Sequence, residues 1–353
     1  MLANIFKRLR IGAIAIQPVL TALPLAIVQS FALAEEVAAP QGSLQSRSDI
    51  EEVGRHSFEH LSADSNIGDL LSHPALASFG LQIMPWENRS YDNGLALYDF
   101  GQLLPYHSNV LAQDVTGGLN RMIDDIAKGQ QVFFDFYSDA QMRADPSLGH
   151  TGLFFFRGKP GAPFAVIAPG GGFSYVGSVH EGFPYALAIN KAGLNAFVLK
   201  YRTGRGQNTA TQDLAAALGF VFDHADTLGV SRYGYSLWGS SAGARMAAAI
   251  GSHGADAFGG EKLPKPSTVV MAYTAHSDHA SKEPATFVVV GENDHISPPS
   301  AMEDRIRALE ELGTDVSYHL YPNIGHGFGL GTGTSAENWV SNAVTFWEQN
   351  MHF

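Results

Sequence analysis

The sequence contains no cysteine, which excludes disulfides, thiol catalysis and cysteine-based metal sites. Basic residues are few: 22 lysines and arginines face 34 aspartates and glutamates, for a formal net charge of −12. That balance speaks against nucleic acid as a partner. There is no H-E-x-x-H zinc motif, no G-K-[ST] phosphate loop and no G-x-G-x-x-G dinucleotide turn. Past the first 34 residues no apolar run approaches the length of a membrane span.

The first residues do carry a signal. Lys7, Arg8 and Arg10 make a basic start, and Ile11 to Leu33 is mostly apolar, broken at Pro18 and Pro24. Ala32-Leu33-Ala34 then supplies an A-x-A site before Glu35 and Glu36. This is the pattern of a signal peptide over 1–34. It predicts a periplasmic or secreted protein with no stable membrane insertion after cleavage; an uncleaved anchor is the alternative. Glu35 to about Asp49 is small and polar, as in a linker. With the stretch up to 128 it forms an N-terminal extension, either a lid or a scaffold that never touches substrate. Within it, Asp69-Leu70-Leu71 and Leu119 to Ala127 read as helical, and Pro85 to Asn88 and Tyr91 to Gly94 as turns.

From 129 to 353 the pattern alternates. Gln131 to Tyr137 and Gly152 to Arg157 predict an antiparallel start to a sheet, with Phe154 to Phe156 in the core and the polar stretch Ser138 to His150 between them. Strands are then expected to end at Ala168, Leu199, Trp238, Tyr273, Val290 and Tyr321. Helices are expected over Tyr185 to Ala192, Asp213 to His224, Ala242 to Ile250, Ala301 to Leu312 and Ser335 to Gln349. Such alternation predicts an α/β fold, a mostly parallel sheet with helices on both faces.

Four motifs sit at the ends of those strands. Gly239-Ser240-Ser241-Ala242-Gly243 is a G-x-S-x-G turn between an apolar strand and an alanine-rich helix. It would hold Ser241 exposed at a helix N-terminus, where N–H groups favour developing negative charge. Upstream, Ala168-Pro169-Gly170-Gly171-Gly172-Phe173 follows a buried strand. Consecutive glycines there free backbone N–H groups to point at an oxyanion; a flexible loop is the plainer reading. Downstream, Asp294 follows the strand Thr286 to Val290, and His326 lies in a glycine-flanked loop after Val316 to Tyr321. The order Ser, Asp, His differs from those of chymotrypsin and subtilisin and matches that of the α/β-hydrolases.

On these residues, from Phe164 to the C-terminus, the chain resembles the α/β-hydrolase superfamily. It looks most like the esterase/lipase branch that includes acetylxylan-esterase-like proteins and relatives with an H-G-G-G oxyanion motif. Ala196 to Arg202 is similar to that branch's strand ending in Tyr-Arg, and Asp213 to a structural aspartate at the start of the next helix. Pro169 stands where the branch commonly has histidine. The resemblance implies a serine carboxylic-ester hydrolase with Ser241 as nucleophile, His326 as base and Asp294 as its orienting acid. The N–H groups of Gly171, Gly172 and Ala242 would form the oxyanion hole. It implies no cofactor, and as partner a small ester, with acetylated carbohydrate as one candidate. Peptide or amide cleavage by the same residues, or a binding module without catalysis, are the alternatives.

Fourteen histidines raise the question of a metal. His276, Asp278 and His279 share one loop but follow no helical ligand spacing, so solvated loop residues are expected and no metal. His295, next to Asp294, is expected to point away from the site. His180-Glu181, soon after the glycine loop, reads as the start of a helix, with substrate contact as the alternative.

Overall fold

The computed structural model describes residues 57–351. The expected signal peptide and the linker to Asp49 lie outside the described residues. The first helices are α1 (Ile67–Ser72), α2 (Gly80–Ile83) and α3 (Ala112–Ala127). After them come β1 (Phe133–Phe134), α4 (Asp139–Ala144), β2 (Gly152–Phe156), β3 (Phe164–Ala168), α5 (Phe183–Lys191) and β4 (Asn195–Lys200). Next are α6 (Gly206–Asp223), α7 (Ala225–Leu228), β5 (Ser236–Ser240), α8 (Ala242–His253) and β6 (Thr268–Ala272). The chain closes with β7 (Ala285–Gly291), α9 (Pro299–Glu311), β8 (Val316–Tyr321) and α10 (Trp339–Asn350).

The strands form one eight-stranded sheet in the order β1-β2-β4-β3-β5-β6-β7-β8. Pairings β1–β2 and β2–β4 are antiparallel, and the others are parallel. Strands β2 to β6 are buried along their length, because helices cover both faces and leave no polar side to alternate. Alternation survives in which core each side chain enters. Ala165 and Ile167 join a core shared with α3, α5 and α10, while Phe164, Val166 and Ala168 join one shared with α6, α8 and α9. Edge strand β8 is half-buried and carries Ser317 and His319, which suits an unpaired edge.

The segment before β1 packs into the first of these cores through Ile67, Leu76, Phe100, Leu119 and Ile123, among others. A buried Lys200 at the end of β4 pins it further, donating to the carbonyls of Met84 (2.7 Å) and Pro85 (3.2 Å). Burial draws the Lys200 pKa down to about 8, since a charge in a dry site is disfavoured.

Several boundaries differ from those expected. Only Phe133–Phe134 of the first strand pairs. The polar stretch 138–150 holds α4 and a 3₁₀ turn. Helix α6 starts at Gly206, so Asp213 lies mid-helix and fully buried instead of opening it. There it accepts from the Arg202 guanidinium (2.7 Å) and the Tyr137 hydroxyl (2.7 Å). A buried carboxylate needs such partners. Helix α10 starts at Trp339, after Asn338 adopts φ 70°.

Candidate active site

Ser241 stands between β5 and α8 with φ 49° and ψ −114°, a conformation that L-residues rarely adopt. The turn closes because Gly243 has no side chain: a Cβ there would strike the Ala168 carbonyl at the end of β3. Around the turn Gly171 (133°), Gly172 (61°), Phe173 (57°) and Tyr273 (37°) also have positive φ. Backbone strain gathered in one place marks a site held by its surroundings.

The Ser241 Oγ is 2.9 Å from His326 Nε2, and His326 Nδ1 is 2.7 Å from Asp294 Oδ2. The other oxygen of Asp294 accepts the N–H groups of Ile296 (2.9 Å) and Ser297 (2.7 Å). The buried carboxylate is thereby fixed and oriented toward the ring. The three residues predicted from the sequence are thus brought together from three strand ends. His295 is exposed, as expected of a neighbour pointing away.

A cavity of about 250 Å³ opens beside Ser241, lined by Gly172, Phe173, Ala242, Arg245, Thr274, Ala275, Ile296 and Ser297. Gly172 and Ala242 therefore share the nucleophile's cavity. Gly171 is not part of this lining; its carbonyl accepts from the Ser174 and Tyr175 N–H groups (3.0 and 3.2 Å). The N–H groups of Gly171 and Gly172 make no hydrogen bond among the described residues. Ala242 opens α8, where N–H groups lack helical partners. The Gly172 and Ala242 donors thus stand at the serine's cavity, with the helix dipole behind the second.

Behind this loop lies a buried polar network absent from the sequence reading. His180-Glu181 lie in a π-helical turn, Ser178–Gly182, directly before α5. They do lead into a helix, but both are fully buried. Glu181 accepts the Gly170 N–H (2.5 Å) and the Tyr273 hydroxyl (2.7 Å). His107, from the segment before β1, places Nε2 2.9 Å from Glu181 Oε1, the oxygen that accepts the Tyr273 hydroxyl. Its Nδ1 meets the Tyr175 hydroxyl at 2.8 Å. Burial raises a carboxyl's pKa, but His107, His180 and the Tyr273 hydroxyl outweigh it here and hold Glu181 at about 2. Burial and the neighbouring His107 draw His180 down to about 4. The Tyr201 hydroxyl donates to the Pro169 carbonyl (2.9 Å), fixing the loop's entry.

The same segment reaches the histidine loop: Ser108 donates through its hydroxyl to the His326 carbonyl (2.8 Å) and through its N–H to Gly327 (2.9 Å). Nothing local in 106–108 signals this, since the partners lie far along the chain.

One expectation for the histidines is overturned. His276 is buried, not solvated, and burial draws its pKa down to about 4. It lies two residues past Thr274, and Tyr273-Thr274 are carried into the core from the end of β6. Asp278 is engaged by His253 (2.6 Å), and His279 is exposed. Among the described residues no group of three or more His, Asp or Glu side chains is placed to hold a metal ion. No helix among them is long and apolar enough to cross a membrane.

The prolyl oligopeptidase family matches residues 261–353, the part that carries Asp294 and His326. An acetylxylan esterase from Xylanibacter ruminicola is 24% identical over 212 residues, covering 50% of this chain and 43% of that protein. The chain therefore spans less than half the length of this relative. Among solved structures, an acetyl ester-xyloside bifunctional hydrolase from Caldicellulosiruptor lactoaceticus superposes with a TM-score of 0.53 at 20% identity, covering 62% of this chain and 95% of that one. A carboxyl esterase 2 from the mycorrhizal fungus Tuber melanosporum gives 0.50 at 18% identity, covering 57% and 83%. With its eight-stranded, mostly parallel sheet and its serine turn after β5, the chain has the α/β-hydrolase fold and is similar to esterases built on it.

Proposed function

We propose that the protein is a serine carboxylic-ester hydrolase acting on small esters. The observation that carries this is the unbroken series Ser241–His326–Asp294 at 2.9 and 2.7 Å, ending beside unengaged backbone donors. His326 takes the proton of Ser241 as the hydroxyl attacks the ester carbonyl. Asp294 holds the ring in the tautomer that presents Nε2 to the serine and stabilises its cationic form. The N–H groups of Gly171, Gly172 and Ala242 receive the oxyanion. The alcohol leaves with the proton from His326, and water, activated by the same ring, releases the acid from the acyl-enzyme.

The small cavity favours a short acyl group, and the acetylxylan esterase relative makes an acetyl group on a carbohydrate the first substrate to try. The expected leader would deliver the enzyme to the periplasm or the medium. The match to the prolyl oligopeptidase family supports a second reading, cleavage of peptides by the same residues. A series of 4-nitrophenyl esters of rising chain length, run beside a peptide anilide, separates the two. The expected result is fastest turnover of the acetate or propionate, abolished in Ser241→Ala. Turnover of the anilide alone would replace the esterase reading with the peptidase one.

A further inference from the structure

We propose that Arg245 makes the cavity beside Ser241 a subsite for a carboxylate carried by the substrate. The proposal rests on the ester-hydrolase reading and names its substrate class. Arg245 lies one helical turn beyond the nucleophile on α8 and is the one charged side chain lining that cavity. No aspartate or glutamate lines it.

The other described arginines show why this one is unusual. Arg202 is held by Asp213, Arg305 by Glu283, Arg121 by Asp125, Arg232 by Asp226 and Arg307 by Asp304. Arg89 stacks over Trp86 and Arg157 over Phe155, while Arg143 and Arg205 are exposed to solvent. Arg245 is half-buried, yet its guanidinium has no carboxylate, carbonyl or ring partner among the described residues. A guanidinium with no internal acceptor is left available to a ligand, and its planar fork fits a carboxylate with two parallel hydrogen bonds.

The rest of the lining suits such a ligand. Thr274 and Ser297 line the same cavity, and no other residue engages their hydroxyls. His276, whose charge would act on Arg245, is held neutral at ordinary pH by burial and by the arginines around it, so it neither repels nor neutralises Arg245. A chain of net charge −12 gives anions no general attraction. Selection of an anionic substrate therefore falls to this local cation.

The carboxylate could belong to the acyl group, as in a half-ester of a dicarboxylic acid, or to the alcohol, as in an acetylated uronic acid. Two substrate pairs distinguish them. One is the 4-nitrophenyl monoester of glutaric acid against the same ester with its free carboxyl amidated. The other is an acetylated methyl glucuronoside against its uronamide. We expect the parent enzyme to favour the charged member of one pair by about ten- to a hundredfold in kcat/KM, with the preference shrinking as salt is added. In Arg245→Gln the ratio should fall toward one, and in Arg245→Lys part of it should survive. Equal kcat/KM within both pairs, or a preference that persists in Arg245→Gln, overturns the proposal and leaves ester hydrolysis standing. If none of the four is hydrolysed while 4-nitrophenyl acetate is, the subsite proposal falls and ester hydrolysis stands; if that acetate is inert too, the underlying reading fails instead, and calorimetric titration with glutarate decides the subsite without turnover. Binding lost in Arg245→Gln supports it; no binding to the parent overturns it.

Discussion

Ser240 and Ser241 are adjacent, yet they belong to different regions. Ser241 faces the open cavity and His326, whereas Ser240 faces inward, its hydroxyl 3.2 Å from that of Tyr185 in the buried network. The glycine loop divides in the same way. Gly172 lines the cavity, while the Gly170 N–H is spent on Glu181. The front is built of groups left unengaged. Behind it, Glu181, Tyr273 and Tyr185 bond to one another. A site that must bind a transient charge keeps donors free on one side and holds them in place from the other.

The sharpest way to break this division is to remove the front. Ser241→Ala should lower ester turnover by about four to six orders of magnitude, and His326→Ala by a similar amount. Steady-state rates of one short-chain ester, with thermal unfolding measured alongside, check this. Substantial activity in Ser241→Ala, or a serine-directed phosphonate found on Ser240, would reverse the assignment of the two serines.

Next comes the loop that joins the two regions. Gly171 has φ 133°, and a Cβ would strike the Tyr175 carbonyl. Gly171→Ala should therefore displace the loop and cost about a hundred- to a thousandfold in turnover, the effect of losing an oxyanion donor. Pro169→His should be tolerated with a modest change, because the Pro169 contact is made by its carbonyl, which any residue has. A dead proline variant beside an active glycine variant would place the oxyanion hole elsewhere.

The front was legible in the sequence because its chemistry is local. Gly239 to Gly243, Asp294 and His326 each stand in a short motif just past an apolar run, and the runs fix the strand ends. The back was not legible. Glu181 gains its role from His107 and Tyr273, whose separations along the chain carry no pattern. The π-helical turn that orients it has no sequence signature of its own. Helix starts fared in the same way. The polar residues Gln207, Asn208 and Thr209 hide the first turn of α6, and Ser335 to Asn338, polar but for Ala336, form turns before α10 rather than its beginning. Arg202 and Tyr137, which explain Asp213, meet it only in the folded sheet.

The back can be tested through its charges. Glu181→Gln leaves one acceptor where two are needed, so kcat should fall about ten- to a hundredfold with KM little changed, as the Gly170 anchor slackens. A boronic acid that becomes tetrahedral on Ser241 should lose affinity in parallel; a purely structural role would lower stability and leave that ratio unmoved. Acid should loosen the same region in the parent. His180 ordinarily titrates near 6.5 and is held near 4 in the fold. The unfolded chain thus binds more protons between those values, and stability falls as pH drops through them, by about 3 kcal/mol when complete. His276 contributes in the same direction, and Glu181, lowered from 4.5 to about 2, adds its loss below pH 4.5. Calorimetric unfolding from pH 7.5 to 4 should show a steady decline, shallower in His180→Asn. A flat profile would mean that His180 is not kept neutral by its surroundings.

The smallest effect belongs to the inward-facing serine, and it sharpens the comparison most directly. Ser240→Ala removes one long hydrogen bond of 3.2 Å to Tyr185. The Tyr185 hydroxyl keeps its contact with Tyr273 at 2.8 Å and with the Gly329 carbonyl at 3.3 Å, so no buried donor is left unpaired. The cost should be about 1 kcal/mol of stability and no more than a few-fold in turnover, because neither Ser241 nor the loop donors lose a direct contact. The two adjacent serines would then differ by at least three orders of magnitude under the same substitution. If Ser240→Ala instead lowered turnover a hundredfold while unfolding at the parent's temperature, the buried network would be coupled to the nucleophile through β5 itself. The division between reactive front and supporting back would then have to be redrawn at that strand.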